Sequence, residues 1–250
     1  MSKIDTAVIL AAGRGSRLKE LSLEQPKPMT EVNKAGILNN LIRHIIDSGI
    51  KRIVVVTGYF AQKLEEDILG HFKGQTEFIF VENKIFDKTN NIYSLWLAEE
   101  YLKNGFYLYE ADVFCEASTV SKMVEHPAKN VILLGRHTNL MNGTVVDLDE
   151  TGQVQNMYLN RHQHENFDFS DKFKTINFYK LGADFVNNFF LARLKEHIEN
   201  EDVNSYYELI VKEAIDLKYQ FHGLDVEDSQ WWEIDTIEDL EIAEELFSEK

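Results

Sequence analysis

The stretch Ala7-Val8-Ile9-Leu10-Ala11-Ala12-Gly13-Arg14-Gly15-Ser16-Arg17 decides the fold. Residues 7–10 are apolar on both faces, the pattern of a strand buried within a parallel sheet. The run then breaks into two alanines, a Gly-x-Gly and two arginines. Glycines at the end of such a strand let the backbone turn sharply and approach a ligand closely. Main-chain N–H groups in a turn of this kind form a concavity for anions, and Arg14 and Arg17 place positive charge beside it. Further on comes Gln25-Pro26-Lys27-Pro28-Met29, where two prolines hold the chain around one lysine. Together the segments predict a polyphosphate cradle with Lys27 as its second clamp.

Three glycine-rich loops compete for this pattern. A dinucleotide fingerprint requires a third glycine where this chain has Leu18. A Walker A loop requires Gly-Lys-Ser/Thr after four intervening residues, and that is absent. The third carries a resemblance: residues 10–17 are similar to the Leu-Ala-Ala-Gly-x-Gly-x-Arg of nucleotidyltransferases of the sugar-phosphate type, and Pro26-Lys27-Pro28 to their Pro-Lys-Pro. Between the two, Glu20 stands where that family usually has proline, and Ser22 where it has threonine. The resemblance implies an α/β fold with a Rossmann-like, doubly wound, mostly parallel sheet and an inserted substrate lid. It implies nucleotide contacts from Leu10, Ala11, Ala12, Gly13, Arg14, Gly15 and Ser16, joined by Tyr59, Asn91 and Ser94. Arg17 and Lys27 take catalytic places beside the phosphates.

A chain of 250 residues with 44% apolar residues can build a sizeable α/β core. The formal net charge of -16 argues against nucleic-acid and anionic-membrane partners, which need clustered Lys and Arg. Cys115 is the one cysteine. It cannot form an internal disulfide, which fits a reducing, cytoplasmic compartment. No apolar run reaches the length of a leader or a membrane span. A homodimer stays open.

Strand and helix patterns alternate through the first half. Leu38, Leu41, Ile42, Ile45 and Ile46 recur at helical spacing before Gly49. Residues 53–57 form the next buried strand, and a helix opens at Gly58-Tyr59. A strand at 78–81, a helix through Ile92, Leu95 and Trp96, and a strand at 106–109 follow. This order predicts a parallel sheet whose ligands bind beyond the carboxyl ends of the strands. The second half is less regular. It offers a strand at 131–134, a hairpin around Asp149-Glu150-Thr151-Gly152, a mobile polar loop at 160–172 and a strand at 176–181. Helices at 185–198 and 206–215, a short strand at 231–234 and a helix opening at Thr236 complete it. One domain is expected over 1–250, with a nucleotide-binding core (1–135), an acceptor-binding lid (136–230) and a closing strand and helix (231–250).

The chemistry that the resemblance implies joins a phosphate or phosphonate oxygen to the α-phosphorus of a nucleoside triphosphate and expels pyrophosphate. It needs cations on the leaving group and Mg2+ held by carboxylates. Asp112 and Asp235 stand at strand ends, and the resemblance assigns both to catalysis and the metal. For Asp235 the competing role is helix capping, shared with Thr236. Glu110 reads as supporting the metal site or facing solvent.

A narrower resemblance lies further along. Asn90-Asn91-Ile92-Tyr93-Ser94-Leu95 is similar to the Asn-Asn-x-Tyr-Ser-Leu of phosphocholine and 2-aminoethylphosphonate cytidylyltransferases. Trp232-Glu233-Ile234-Asp235 is similar to their Tyr-Glu-Ile-Asp, and residues 202–208 to their helix with paired aromatics and an acid. It implies CTP as donor and a small phosphorylated or phosphonylated amino alcohol as acceptor. A sugar-1-phosphate nucleotidyltransferase and a catalytically silent nucleotide-binding regulator are the alternatives. Asn91 and Asn90 can cap a helix, and Asn91 can also reach a base or phosphate. The acceptor-binding candidates are Lys174, Asn177, Tyr206, Glu208 and Trp231. A quaternary ammonium wants the aromatic faces, whereas a primary one wants Glu208 or Asn177. Tyr207 and one tryptophan are expected in the core. Adjacent strand residues point to opposite faces, so at most one of Trp231 and Trp232 should line a given pocket. Lys174 reads as a cation for the acceptor phosphate or as a surface lysine. Residues 174–179 resemble the phosphonate branch most.

Overall fold

Strand β1 (Thr6–Leu10) lies at the centre of the computed structural model, which describes residues 4–18 and 21–248. All of β1 is buried, because strands flank it and helices cover both faces. Val8 and Leu10 pack into one apolar cluster, Ala7 and Ile9 into the opposite one. From β1 the chain runs through a 3-10 turn (Ser16–Leu18), α1 (Leu21–Glu24), a second 3-10 turn (Lys27–Met29) and a ribbon of β2 (Glu31–Val32) and β3 (Ala35–Gly36). Helix α2 (Ile37–Asp47), β4 (Arg52–Thr57), α3 (Ala61–Phe72), β5 (Glu77–Glu82), α4 (Asn91–Leu97) and β6 (Gly105–Glu110) follow, as the alternating patterns predict. Strands β5, β4, β1 and β6 lie side by side and parallel. Their carboxyl ends open on one edge, where such sheets bind ligands.

The remaining elements are β7 (Val113–Cys115), α5 (Ala117–Glu125), β8 (Val131–Arg136), the hairpin of β9 (Val145–Leu148) and β10 (Val154–Tyr158), and β11 (Phe173–Gly182). After these come α6 (Ala183–Phe185), which runs through a π turn into α7 (Leu191–Glu199), then α8 (Glu208–Asp216), β12 (His222–Asp225), β13 (Trp231–Glu233) and α9 (Ile237–Leu246). The long β11 extends the sheet beyond β6 in antiparallel sense and also pairs with β8 and β9. Strand β12 adds to β8 in parallel. The β11–β8 register shifts between Thr175 and Tyr179, where Asn177 has a φ of 61°. A bulge of this kind bends a strand and re-aims a side chain.

Residues 160–172 carry aromatic contacts despite their polarity. Ring contacts between Tyr158 and Phe167 (5.1 Å), Phe167 and Phe169 (4.8 Å), and His137 and Phe169 (4.3 Å) tie the segment down. Among the described residues no helix is long and apolar enough to cross a membrane.

Helix α9 begins in a capping box: the Asp239 N–H donates to Thr236 Oγ1 at 3.2 Å, and the Thr236 N–H donates to Asp239 Oδ2 at 2.8 Å. Removing such a cap costs about 1 kcal/mol. Thr236→Ala should therefore lower the urea midpoint by that equivalent with an unchanged m-value. An unshifted midpoint would show that the cap is dispensable.

Candidate functional site

The β7–β13 ribbon builds the site. Asp112 precedes β7 and Asp235 follows β13, and the Ile234 N–H donates to the Asp112 carbonyl at 2.8 Å. Two carboxylates far apart in sequence are thereby brought together. Thr236 caps α9, so the Asp235 side chain is left for the site, while the Asp235 N–H donates to Asp239 Oδ2 at 3.1 Å. Lys27 stands between the two acids, its Nζ donating to Asp112 Oδ2 at 2.9 Å and to Asp235 Oδ1 at 2.7 Å. Arg17 reaches the same Asp235 oxygen at 2.8 Å. Gly15 makes this approach feasible. Its φ is 65°, and a Cβ there would lie 2.4 Å from Lys27 Cβ. Burial acts to lower the Lys27 pKa, but Asp112 and Asp235 outweigh it and hold the ammonium above its usual range. Burial likewise acts to raise Asp235, and Lys27 and Arg17 outweigh it and hold that carboxyl below its usual range. Among the described residues Asp112 Oδ1 is buried without a hydrogen-bond partner.

Two cavities meet at this cluster, and Arg17, Asn91, Glu110, Asp112, Tyr206 and Asp235 face both. The smaller, of about 280 Å³, is floored by Leu10, Ala11, Ala12, Gly13 and Gly15, with Lys27 and Ser94 in its wall. Among the described residues nothing accepts the main-chain N–H groups of Ala12, Gly13, Arg14 and Gly15. That is the free-donor concavity expected of the loop. Arg14, Ser16 and Tyr59 stand outside its wall. Tyr59 instead braces the loop, its hydroxyl donating to the Ser22 carbonyl at 3.0 Å with the Arg14 guanidinium 5.4 Å from its ring centre. Glu20 lies outside the described residues. Asn90 caps α4 by accepting the Asn91 N–H at 2.8 Å. Asn91 does not cap: its Nδ2 donates to Glu110 at 3.2 Å and its Oδ1 accepts the Tyr207 N–H at 3.0 Å.

The larger cavity, of about 530 Å³, is lined by acids. Glu208 accepts the Thr144 hydroxyl at 2.6 Å. Glu233 pairs with Lys174 at 3.0 Å and accepts from Asn177 Nδ2 at 3.4 Å. Lys174 is no surface lysine. It is 2% exposed, and its Nζ also donates to the Thr175 carbonyl at 2.8 Å. Glu110 does not face solvent: it accepts the Tyr207 hydroxyl at 2.9 Å. Burial, then the neighbouring charges of Asp112, Glu208 and Glu233, push its pKa well up. Burial also raises Glu208, with Thr144 and Lys174 partly offsetting it.

Tyr206 is 55% exposed, whereas Tyr207 is fully buried, as expected of a core residue. Trp231 and Trp232 both line the cavity, contrary to the strand argument. Trp231 packs in one apolar cluster and Trp232 against another, as adjacent strand residues do, and the cavity reaches both faces of β13. Trp231 itself is pressed against Gly135, where a Cβ would meet it at 2.4 Å. Glu233 and Thr144 were not singled out from the sequence. Glu233 had a usable signal, since it stands two residues before Asp235 and so on the same strand face. Thr144 had none.

Comparison with known proteins adds a family and relatives. The description Nucleotidyl transferase matches residues 6–245. A CMP-5'-(3-aminopropyl)phosphonate synthase from Streptomyces rubellomurinus is 31% identical over 97% of this chain, which spans 38% of that protein's length. A CTP:phosphoglutamine cytidylyltransferase from Campylobacter jejuni is 26% identical, covering 94% of this chain and 98% of that one. In fold, the chain resembles the CTP:phosphocholine cytidylyltransferase of Streptococcus pneumoniae, with a TM-score of 0.81 at 21% identity over 98% of this chain and 100% of that one.

The raised Glu208 pKa has a consequence for stability. The folded chain keeps this proton to higher pH than the unfolded chain, whose glutamates titrate near ~4.3. The stability is full below that value and is lost as pH rises through the raised one. Glu208→Gln removes the loss. Thermal melts at about pH 5 and about pH 8 should show the variant gaining on wild type at the higher pH. An equal difference at both would mean that burial does not hold the proton.

Proposed function

Because the chain belongs to the nucleotidyl transferase family, we propose that it transfers the cytidylyl group of CTP to a small aminoalkylphosphonate or amino-alcohol phosphate and releases pyrophosphate. One observation carries the reading: a cavity floored by free main-chain donors and a cavity lined by acids share the wall that bears Asp112, Asp235 and Arg17. The triphosphate belongs in the first, against the loop N–H groups and Lys27. The acceptor belongs in the second, with its anionic end toward Arg17.

The acceptor oxygen is already ionised at neutral pH, so the attack needs no general base. Its lone pair forms a bond to the α-phosphorus as the bond from that phosphorus to the bridging oxygen of pyrophosphate breaks, and the bridging oxygen leaves with the electron pair. Lys27 and Arg17 offer fixed positive charge to the oxygens that gain charge, and the wall holds the two reactants in line. Mg2+ would be held by Asp112 and Asp235. The unpartnered, buried Asp112 Oδ1 and the all-oxygen donor pair fit that ion, which takes one or two carboxylates and leaves its other positions to phosphates and water. When bound, it neutralises phosphate charge. Asp112→Asn and Asp235→Asn should each abolish magnesium-dependent pyrophosphate release while leaving the circular dichroism spectrum unchanged. Near-normal turnover in either variant would remove that residue from the metal site.

The acid-lined cavity supports an acceptor with a cationic nitrogen. Tyr207 is buried and Trp231 is packed into the core, so Tyr206 and the half-buried Trp232 are the rings left to the cavity, and the three glutamates that line it with them support a primary ammonium over a caged quaternary one. The aminoalkylphosphonate in the Streptomyces relative's name points the same way. A panel of 2-aminoethylphosphonate, 3-aminopropylphosphonate, phosphocholine and glucose-1-phosphate with CTP tests this. Losing a charged hydrogen-bond partner costs about 1.5 to 3 kcal/mol. Glu208→Gln should therefore cut kcat/KM for the primary amines by roughly 10- to 100-fold. A wild-type preference for phosphocholine that Glu208→Gln leaves untouched would overturn the choice of acceptor.

A further inference from the structure

The wall of the smaller cavity holds a side-chain amide whose orientation is set by a main-chain donor. Asn83 is the first residue beyond β5 and is 1% exposed. Its N–H donates to the Thr57 carbonyl at 2.8 Å, which seats it on the sheet edge. The Ile85 N–H donates to Asn83 Oδ1 at 3.1 Å. A main-chain N–H can only donate, so this contact fixes which end of the amide is oxygen. The nitrogen end then faces two hydroxyls, Thr89 Oγ1 at 3.0 Å and Ser94 Oγ at 3.1 Å. Both amide hydrogens are used, and Asn83 has none left for a ligand.

The two hydroxyls differ in what remains to them. Thr89 donates its own hydrogen to the Ile85 carbonyl at 3.1 Å. Ser94 receives from Asn83, and among the described residues nothing accepts the Ser94 hydrogen. Ser94 is 4% exposed and lines the cavity. The amide hydrogen takes one of the two lone pairs of Ser94 Oγ, so the group left without a protein partner among the described residues is the serine's own hydrogen. The site thus presents a donor at this point.

We propose that Asn83 is a positioning residue that sets Ser94 as a donor and thereby selects cytosine over uracil, through the contrast between an unprotonated ring nitrogen at position 3 of cytosine and an N–H there in uracil. The serine hydrogen pairs with the first; the second can be accepted only on the remaining lone pair, which leaves the serine hydrogen unpartnered, and that is costly in a desolvated site. The inference rests on the cytidylyl-transfer reading and adds to it the origin of base choice.

The test measures binding of CTP and of UTP by calorimetry, with magnesium and without acceptor, so that it is independent of the acceptor's identity. Wild type should bind CTP at least tenfold more tightly than UTP. Asn83→Asp keeps an oxygen for the Ile85 N–H but turns the other end into an acceptor. The Ser94 hydrogen then swings to the carboxylate, and the CTP/UTP ratio should fall below threefold. Ser94→Ala should reduce the ratio likewise, mainly by weakening CTP. Adding Asn83→Asp to Ser94→Ala should change the ratio no further, because the relay is already cut. A residue that only supported the loop would weaken both nucleotides alike and leave the ratio intact. If wild type prefers CTP and Asn83→Asp keeps that ratio, or the double variant loses ratio additively, the relay is wrong while cytidylyl transfer stands. If wild type shows no CTP preference, the cytidylyl reading falls and takes the relay with it.

Discussion

The ammonium of Lys27, held between Asp112 and Asp235, ties together three parts of the chain that share no local structure. One is the glycine loop, which packs on the lysine stem at Gly15. The second is the end of β6, which delivers Asp112. The third is β13 with α9, which deliver Asp235. A nearly buried cation without its partners would be expensive, so each carboxylate holds its own segment to the lysine. The same contact keeps two like charges side by side.

Charge is then divided between the two cavities. On the loop side the donors are main-chain N–H groups and two basic side chains, suited to a polyanion. On the other side Glu208 and Glu233 stand close enough to raise the cost of ionising Glu110, with Lys174 as a buried counter-charge. Holding carboxyls in such crowding is unfavourable in the free protein and becomes favourable when a cation enters. On the proposed reading, this crowding suits the cationic nitrogen of the acceptor.

Asn91 and Tyr206 join the halves. By gripping Glu110 with one end and the Tyr207 N–H with the other, Asn91 links α4, β6 and the start of α8. The Asn90 N–H adds a second tie, donating to the Val203 carbonyl at 2.8 Å. Tyr206 is thus carried to the boundary of both cavities.

The local chemistry of the chain by itself determined the parallel core and the glycine loop with its free main-chain donors. A strand apolar on both faces, a Gly-x-Gly and a lysine between prolines are short-range features, and short-range sterics and periodicity suffice to interpret them. Family resemblance carried Asp112 and Asp235 to the same place. Tertiary structure decided the rest. Strand β12 contains a glycine and a histidine and is a strand because β8 pairs with it, and β7 is too short for any period to register. Lys174 could be told from a surface lysine only once Glu233 and the Thr175 carbonyl were beside it. Asn177 points into the site because a register shift in β11 twists its backbone to positive φ. The two tryptophans pack in different apolar clusters and still line one cavity, because that cavity reaches both faces of β13. In each case the deciding quantity was a long-range pairing, and side-chain type alone does not encode which partner a buried group meets.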